Sequence, residues 1–410
     1  MKKNTERTRR DFIKKVAGTT ILTSAGLGMV SGKARFEELN YKPNSTVFGA
    51  NDKINYAVIG MGIQGHSDHN AASQNSGVEL KAVCDLYDGR LKKIKEDYGD
   101  AVKTTKNYKE ILQDKSIDAV IIATTDHWHD HISIEAMKAG KAVYCEKPMV
   151  HKVEEGQAVI DAQKKTKAVF QVGSQRVSSV IYAKAKELYE QGAIGKLVMA
   201  ETWYDRQSAL GAWQYSIPRD ASEKTVDWKA YLGDAPKMDF DAKRFFRWRN
   251  YQDYGTGVAG DLFVHLFSGL HLILSSNGPT RAFTTGGLRY WKDGRDVPDV
   301  MTGVYDYPET DKHPAFNLQM RVNFIDGSGG GSIIRLVGTE GEMVLGRNIT
   351  VKKSKMSSAP GFGGWDSYGT FDKQTQKEFE EWYKKEYPQG TPSVIEPQEF
   401  EYRSPKGYNE

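Results

Sequence analysis

The sequence predicts an α/β chain of two domains: a doubly wound parallel sheet, then an α+β domain built on a large open mixed or antiparallel sheet. Mainly apolar runs of strand length, at 54–59, 78–83, 117–123 and 142–145, alternate with helix-competent segments in the first 170 residues. Strands covered on both faces by crossover helices read in this way. Beyond 168 the pattern changes to a helix followed by alternating strands separated by glycine turns. The length, 410 residues, suits two domains of ordinary size.

The first strand, 54–59, ends abruptly in Gly60-Met61-Gly62-Ile63-Gln64-Gly65, and a helix is expected from about 64 to 74. Gly60 permits the tight turn, Gly62 lets the backbone approach a pyrophosphate, and Gly65 lets helix pack close on strand. The helix N-terminus then offers unpaired N–H groups to an anion. The second strand ends in Asp85, about twenty residues beyond the last glycine, where a carboxylate meets adenosine ribose hydroxyls. Together these make a dinucleotide-binding (Rossmann) unit. A carboxylate repels a 2′-phosphate, so NAD is expected and NADP disfavoured, with Arg90 too far along the chain to reverse that.

Further helices are expected at 88–98, 108–112 and 132–139. The loops after the later strands carry Thr124-Thr125-Asp126-His127-Trp128-His129 and Glu146-Lys147-Pro148. In an open parallel sheet, ligands bind beyond the carboxyl ends of the strands, so both loops fall on the edge that holds Gly60–Gly65. Thr124, Thr125, His127, Trp128, His129, Glu146 and Lys147 thereby join the glycine loop as candidate cofactor contacts. His127 and His131 are four apart, but nothing in the pattern demands a metal and none is predicted. Cys84 and Cys145 match no metal spacing and read as small buried hydrophobes.

Residues 1–34 stand apart. A basic stretch leads to Arg9-Arg10-Asp11-Phe12-Ile13-Lys14 and a mildly apolar run, 16–30, that is too short and too polar to span a membrane. This reads as a twin-arginine export signal, giving a periplasmic protein without a membrane span in its mature form. Residues 35–52 read as a linker. The formal charge is +4 with both signs interspersed, which argues against nucleic acid as the principal partner.

The glycine loop, the 124–129 loop and Glu146-Lys147-Pro148, at these spacings, resemble the Gfo/Idh/MocA oxidoreductases. Further matches lie in Val172-Gly173-Ser174-Gln175-Arg176, Ile194-Gly195-Lys196-Leu197 and Gly260-Asp261 with His265, so the likeness covers about 50–350. It implies a Rossmann domain at 53–170 and a substrate and oligomerisation domain at 171–410. It also implies Gln175 at the cofactor, homo-oligomer contacts on the open sheet, and a further helical segment after 402–408 that a longer gene product would carry.

Asp261 and His265 are four apart in a helix-competent apolar run and share one face. Lys147 suits the reacting oxygen, because an ammonium favours alkoxide character. His265 has an ordinary pKa near the working range and Asp261 can orient it, and the resemblance assigns Lys147, Asp261 and His265 to these roles. Aromatic and arginine clusters make Arg176, Tyr204 and Trp248, with Asp261 and His265, the candidate substrate contacts. Residues 244–249 read either as an ordinary strand or turn or as a sugar-facing wall, and His271 as a packed core histidine. The expected activity is NAD(P)-dependent oxidation of a sugar or glycoside hydroxyl. The principal rival is a family 109-like glycosidase using transient oxidation with no net redox change. Relatives of that kind generally lack the lysine of the Glu-Lys-Pro position, and Lys147 counts against it. A lyase and a non-catalytic sugar-binding module are weaker alternatives.

Overall fold

The computed structural model describes residues 35–38, 53–354, 359–388 and 398–405. The export-signal segment and most of the expected linker lie outside the described residues. The linker's first residues instead form strand β1 (Arg35–Glu38).

The nucleotide-type domain is a six-stranded parallel sheet of β2 (Ile54–Ile59), β3 (Val78–Cys84), β4 (Lys103–Thr105), β5 (Ala119–Ile122), β6 (Ala142–Glu146) and β7 (Phe170–Gly173), in the order β4-β3-β2-β5-β6-β7. Helices Ile63–Ser73, Asp88–Tyr98, Tyr108–Gln113, His129–Lys138 and Gly156–Thr166 connect the strands. Ala57, Ile59, Val120, Ile122 and Cys145 are buried between sheet and helices, which is why those runs had to be apolar. Both cysteines are free and buried. The two edge strands were not legible. β4 (KTT) and β7 (FQVG) each have only one buried residue, so neither carries a continuous apolar run. Strand order reverses about β2, which pairs with both β3 and β5, and this places the glycine turn at the switch point.

The second half contains a nine-stranded mixed sheet, in the order β1-β15-β14-β13-β12-β8-β11-β10-β9. Its members are β8 (Leu197–Asp205), β9 (Arg281–Gly287), β10 (Val300–Tyr307), β11 (Phe316–Asn323), β12 (Gly331–Gly338), β13 (Gly341–Leu345), β14 (Ile349–Lys353) and β15 (Gln398–Arg403). β8 pairs parallel with β11 and antiparallel with β12, which makes the sheet mixed. Strict alternation along β11 buries Leu318, Met320 and Val322 under helices Val180–Glu190 and Val264–Leu274. β14 and β15 were not anticipated, because each is short and carries charged residues among its apolar ones. His271 is half-buried and packed, its Nε2 2.8 Å from the Tyr307 hydroxyl.

Residues 213–258 form an aromatic layer between these two sheets. Tyr87 of the nucleotide domain packs with Trp228, Tyr231, Phe245, Phe246, Tyr251 and Tyr254. Residues 244–249 are not a strand: helix Ala242–Phe246 buries both phenylalanines, and a 3₁₀ turn, Trp248–Asn250, follows. The layer is tied down by main-chain bonds from Asp227 N to Leu86 O and from Asp88 N to Thr225 O, each 2.9 Å. Tyr87 Oη adds a 2.6 Å bond to Asp220.

Candidate active site

Beyond the carboxyl ends of β2, β3, β5 and β6 lies a cleft of about 450 Å³, lined by the glycine loop, the 124–129 loop, Glu146-Lys147 and the aromatic layer. The glycine roles can be checked directly. Gly60 has φ +91°, and a Cβ there would stand 2.6 Å from the Ala123 carbonyl oxygen. A Cβ on Gly65 would stand 2.0 Å from the Gly60 carbonyl, so only glycine lets the helix come this close. At Gly62 the nearest atoms are 3.7 Å away, on Arg90, so its bare backbone faces open cleft. This is the cradle a pyrophosphate needs.

Asp85 is buried at the edge of the cradle. Its carboxylate accepts 2.8 Å from Met61 N and 2.9 Å from Tyr87 N, which fixes the turn. Arg90 was expected to lie too far away to matter. It does not: one turn of helix Asp88–Tyr98 brings its guanidinium 3.2 Å from Asp85, and it lines the cleft over Phe245 and Phe246.

Of the other candidate cofactor contacts, Ile63, Gln64, Thr124, Thr125, Trp128, His129, Glu146 and Lys147 line the cleft, whereas His127 and Gln175 do not. His127 is held beneath the surface by Thr125 Oγ1 at 3.0 Å and the Tyr231 carbonyl at 2.9 Å. Burial pushes its pKa down to about 4, so it is a neutral packing residue. Gln175 is exposed in a 3₁₀ turn after β7. Asp126 reaches across to the second half, accepting from Thr256 N at 2.9 Å and Thr256 Oγ1 at 2.8 Å. Burial, then the neighbouring Asp68 charge, raise Glu146 to about 7, and burial raises Asp68 to about 6. Asp68 points to no site in the sequence, being one more polar residue on a helix.

Lys147 lies at the cleft wall and bridges to the second domain. Its Nζ donates to Asp261 Oδ1 at 2.9 Å and to the Asp261 carbonyl at 3.0 Å. Arg249 Nε donates to the same Oδ1 at 3.1 Å. Burial works to raise the Asp261 pKa, but Lys147 and Arg249 outweigh it and hold the carboxyl well below the usual range. Arg249 lines the cleft and was not singled out from its cluster, because nothing local separates it from Arg244 or Arg247. Arg244 pairs with Asp253 and stacks on Tyr251 instead.

The expected helical face for Asp261 and His265 is also corrected. Ala259–Phe263 is a π-helical turn that runs into helix Val264–Leu274, so Asp261 lies on the widened turn and His265 on the regular one. His265 is buried with its ring 6.2 Å from that of Tyr204, and its Nδ1 has no partner among the described residues. Burial first, then the Lys147 charge, push its pKa down to about 3, far from the ordinary value expected of it. Of the candidate substrate contacts Trp248 lines the cleft, whereas Asp261, His265, Arg176 and Tyr204 do not, and Arg176 is 3.1 Å from Ser332 of the nine-stranded sheet. Among the described residues no His, Cys, Asp or Glu group is arranged to hold a metal, and no helix is long and apolar enough to cross a membrane.

Residues 54–174 match the Gfo/Idh/MocA profile described as an oxidoreductase family with an NAD-binding Rossmann fold. Inositol 2-dehydrogenase of Salmonella typhimurium is 34% identical over 172 residues, 41% of this chain and 50% of that protein. A glycosyl hydrolase family 109 protein of Shewanella baltica is 29% identical over 242 residues, 54% of this chain and 50% of its own length. The chain thus spans about half the length of the curated relatives it matches. Among solved structures, GenD2 from gentamicin A biosynthesis, in complex with NAD, superposes with a TM-score of 0.58 at 19% identity, covering 75% of this chain and 76% of its own. The segment 54–174, with its glycine cradle, is an NAD-binding Rossmann domain similar in sequence to that of the Gfo/Idh/MocA oxidoreductases.

Proposed function

We propose that the protein is an NAD-dependent oxidoreductase acting on a secondary hydroxyl of a sugar or related polyol. The observation that carries this is that Lys147 and Arg249, at the wall of the cleft whose far end is the glycine cradle, both bond the buried Asp261. The inositol dehydrogenase and glycosidase relatives support a sugar-like substrate. Bound NAD supplies the hydride acceptor. The chain's own residues hold the alcohol and handle its proton. Lys147, held in place by Asp261, donates to the substrate oxygen and steadies alkoxide character. Asp261 neutralises the two cations and fixes the lysine's direction. His265, neutral with Nδ1 unpartnered, takes the hydroxyl proton as the hydride leaves the carbinol carbon for nicotinamide.

A second reading keeps the same site but ends without net oxidation: a glycosidase that oxidises transiently, eliminates and reduces again. The longer match to the family 109 protein favours keeping it. Purified protein with NAD and a panel of polyols and aryl glycosides, followed for both absorbance at 340 nm and aglycone release, separates the two. NADH with a keto product supports the dehydrogenase, and aglycone release without NADH supports the glycosidase.

The reading extends to export by the twin-arginine signal and to a homo-oligomer on the uncovered sheet face. Phe283 and Val304, register partners on neighbouring strands, are exposed on that sheet. Cell fractionation tests the first, and light scattering of the purified protein the second.

A further inference from the structure

We infer that the substrate side of the site is built for an anionic group, so that the sugar or polyol it takes carries a carboxylate or a phosphate. This rests on the reading of the site as a sugar oxidoreductase. The argument is one of uncompensated charge. Lys147 and Arg249 share one carboxylate, Asp261. Behind them, two more cations approach His265 from the sheet. Arg206 lies over the ring of Tyr204, 5.0 Å from its centroid, and Tyr204 in turn faces His265. Arg176 donates to Ser332, the register partner of Tyr204 on β12. Cross-strand partners share a face, so both guanidiniums belong to the side of the sheet that His265 packs against.

Neither arginine has a carboxylate partner among the described residues. Arg176 bonds the Tyr182 hydroxyl and Ser332, and Arg206 bonds only the Gly211 carbonyl, at 2.8 Å through Nη1. Among the described residues that leaves the Nε and Nη2 fork of Arg206 without a protein acceptor, in a geometry suited to two oxygens of one anion. The carboxylate next along the strand cannot serve. Asp205 points to the opposite face, where Arg321 holds it at 2.8 Å. Both arginines are half-buried, so water screens them only in part. A neutral polyol would leave this excess of positive charge unanswered, and an anionic one would complete it.

The test is calorimetric titration of the full-length, NAD-loaded protein with methyl β-D-glucopyranoside, methyl β-D-glucuronide and glucose 6-phosphate. The expected result is that an anionic probe binds at least about tenfold tighter than the neutral one. That preference should shrink at about 0.5 M salt, fall in Arg206→Gln and Arg176→Gln, and return in Arg206→Lys. The glucuronide and phosphate arms say which anion is meant. Equal affinity for neutral and anionic probes, or a preference that survives both glutamine variants, overturns the proposal. Binding is read without turnover, so that failure leaves the hydride-transfer reading standing. The latter fails only in the NADH and aglycone assay.

Discussion

Asp85 and Asp261 are both buried carboxylates facing an arginine, yet they are held in opposite ways. Asp85 is fixed by main-chain N–H groups, one of them on Met61 only 24 residues away, and Arg90 closes over it from the next helix. Asp261 is fixed by two side-chain cations, and Lys147 reaches it from 114 residues away in the other domain. The nucleotide end is therefore a backbone device, set by turns and glycines. The chemical end is an assembly of charges that exists only once two domains are packed. Loss of a partner should follow that division: local damage at Asp85, and a collapse of electrostatics at Asp261.

The largest effect should come from Lys147. Lys147→Met removes the donor at the reacting oxygen and leaves Asp261 with Arg249 alone. Turnover should drop by at least about 100-fold while nucleotide still binds. Steady-state kinetics beside nucleotide titration would reveal it, and an equal loss of nucleotide affinity would blur the division drawn here. Next comes Asp85→Ala, which orphans the Met61 and Tyr87 N–H groups and removes the ribose acceptor. NAD affinity should fall by about 10- to 100-fold, the value of one or two charged hydrogen bonds, with kcat at saturating NAD far less affected.

A smaller effect concerns pH. Folded His265 titrates near 3 and an unfolded histidine near 6.5, so between those values the unfolded chain binds a proton that the folded one refuses. Stability must therefore fall as pH drops from 6.5 towards 3, and His127, pushed to about 4, steepens the same slope. Glu146, raised to about 7, works the other way, favouring the folded state at the acid side of its range. In His265→Gln the loss of Tm between pH 6.5 and 4.5 should shrink by about 2–4 °C. An unchanged slope by differential scanning would mean that His265 is not the histidine held neutral. The smallest expected effect is Thr256→Val, which deletes one hydroxyl bond to Asp126 but keeps the main-chain one. It should cost about 1 kcal/mol in urea unfolding, with NAD affinity nearly unchanged.

The same division governs what could be read before the fold was known. Gly60, Gly62, Gly65 and Asp85 lie within one βαβ unit, where spacing and geometry are nearly the same thing. Lys147, Asp261 and His265 came from resemblance to a family, since their convergence depends on packing across 114 residues. Arg249 and Arg206 were hidden among similar neighbours, and only the fold tells which arginine faces the site. The π-helical turn at Ala259–Phe263 leaves no periodic trace beyond a glycine. Arg90 shows the reverse error, because five residues along the chain amount to close contact once a helix begins. His127 looked chemical in a Thr/His/Trp loop, but its ring is spent on holding Tyr231.

Hydride transfer to nicotinamide at the Lys147–Asp261 wall is the central claim, and isotope transfer tests it most directly. The protein would be incubated with a sugar deuterated at the carbinol carbon and then denatured, and the nicotinamide recovered for mass spectrometry. Net oxidation leaves the deuteride on the cofactor, whereas transient oxidation returns it to the sugar. The account predicts deuterium on nicotinamide C4, lost in Lys147→Met. A keto sugar formed beside unlabelled nicotinamide would contradict it.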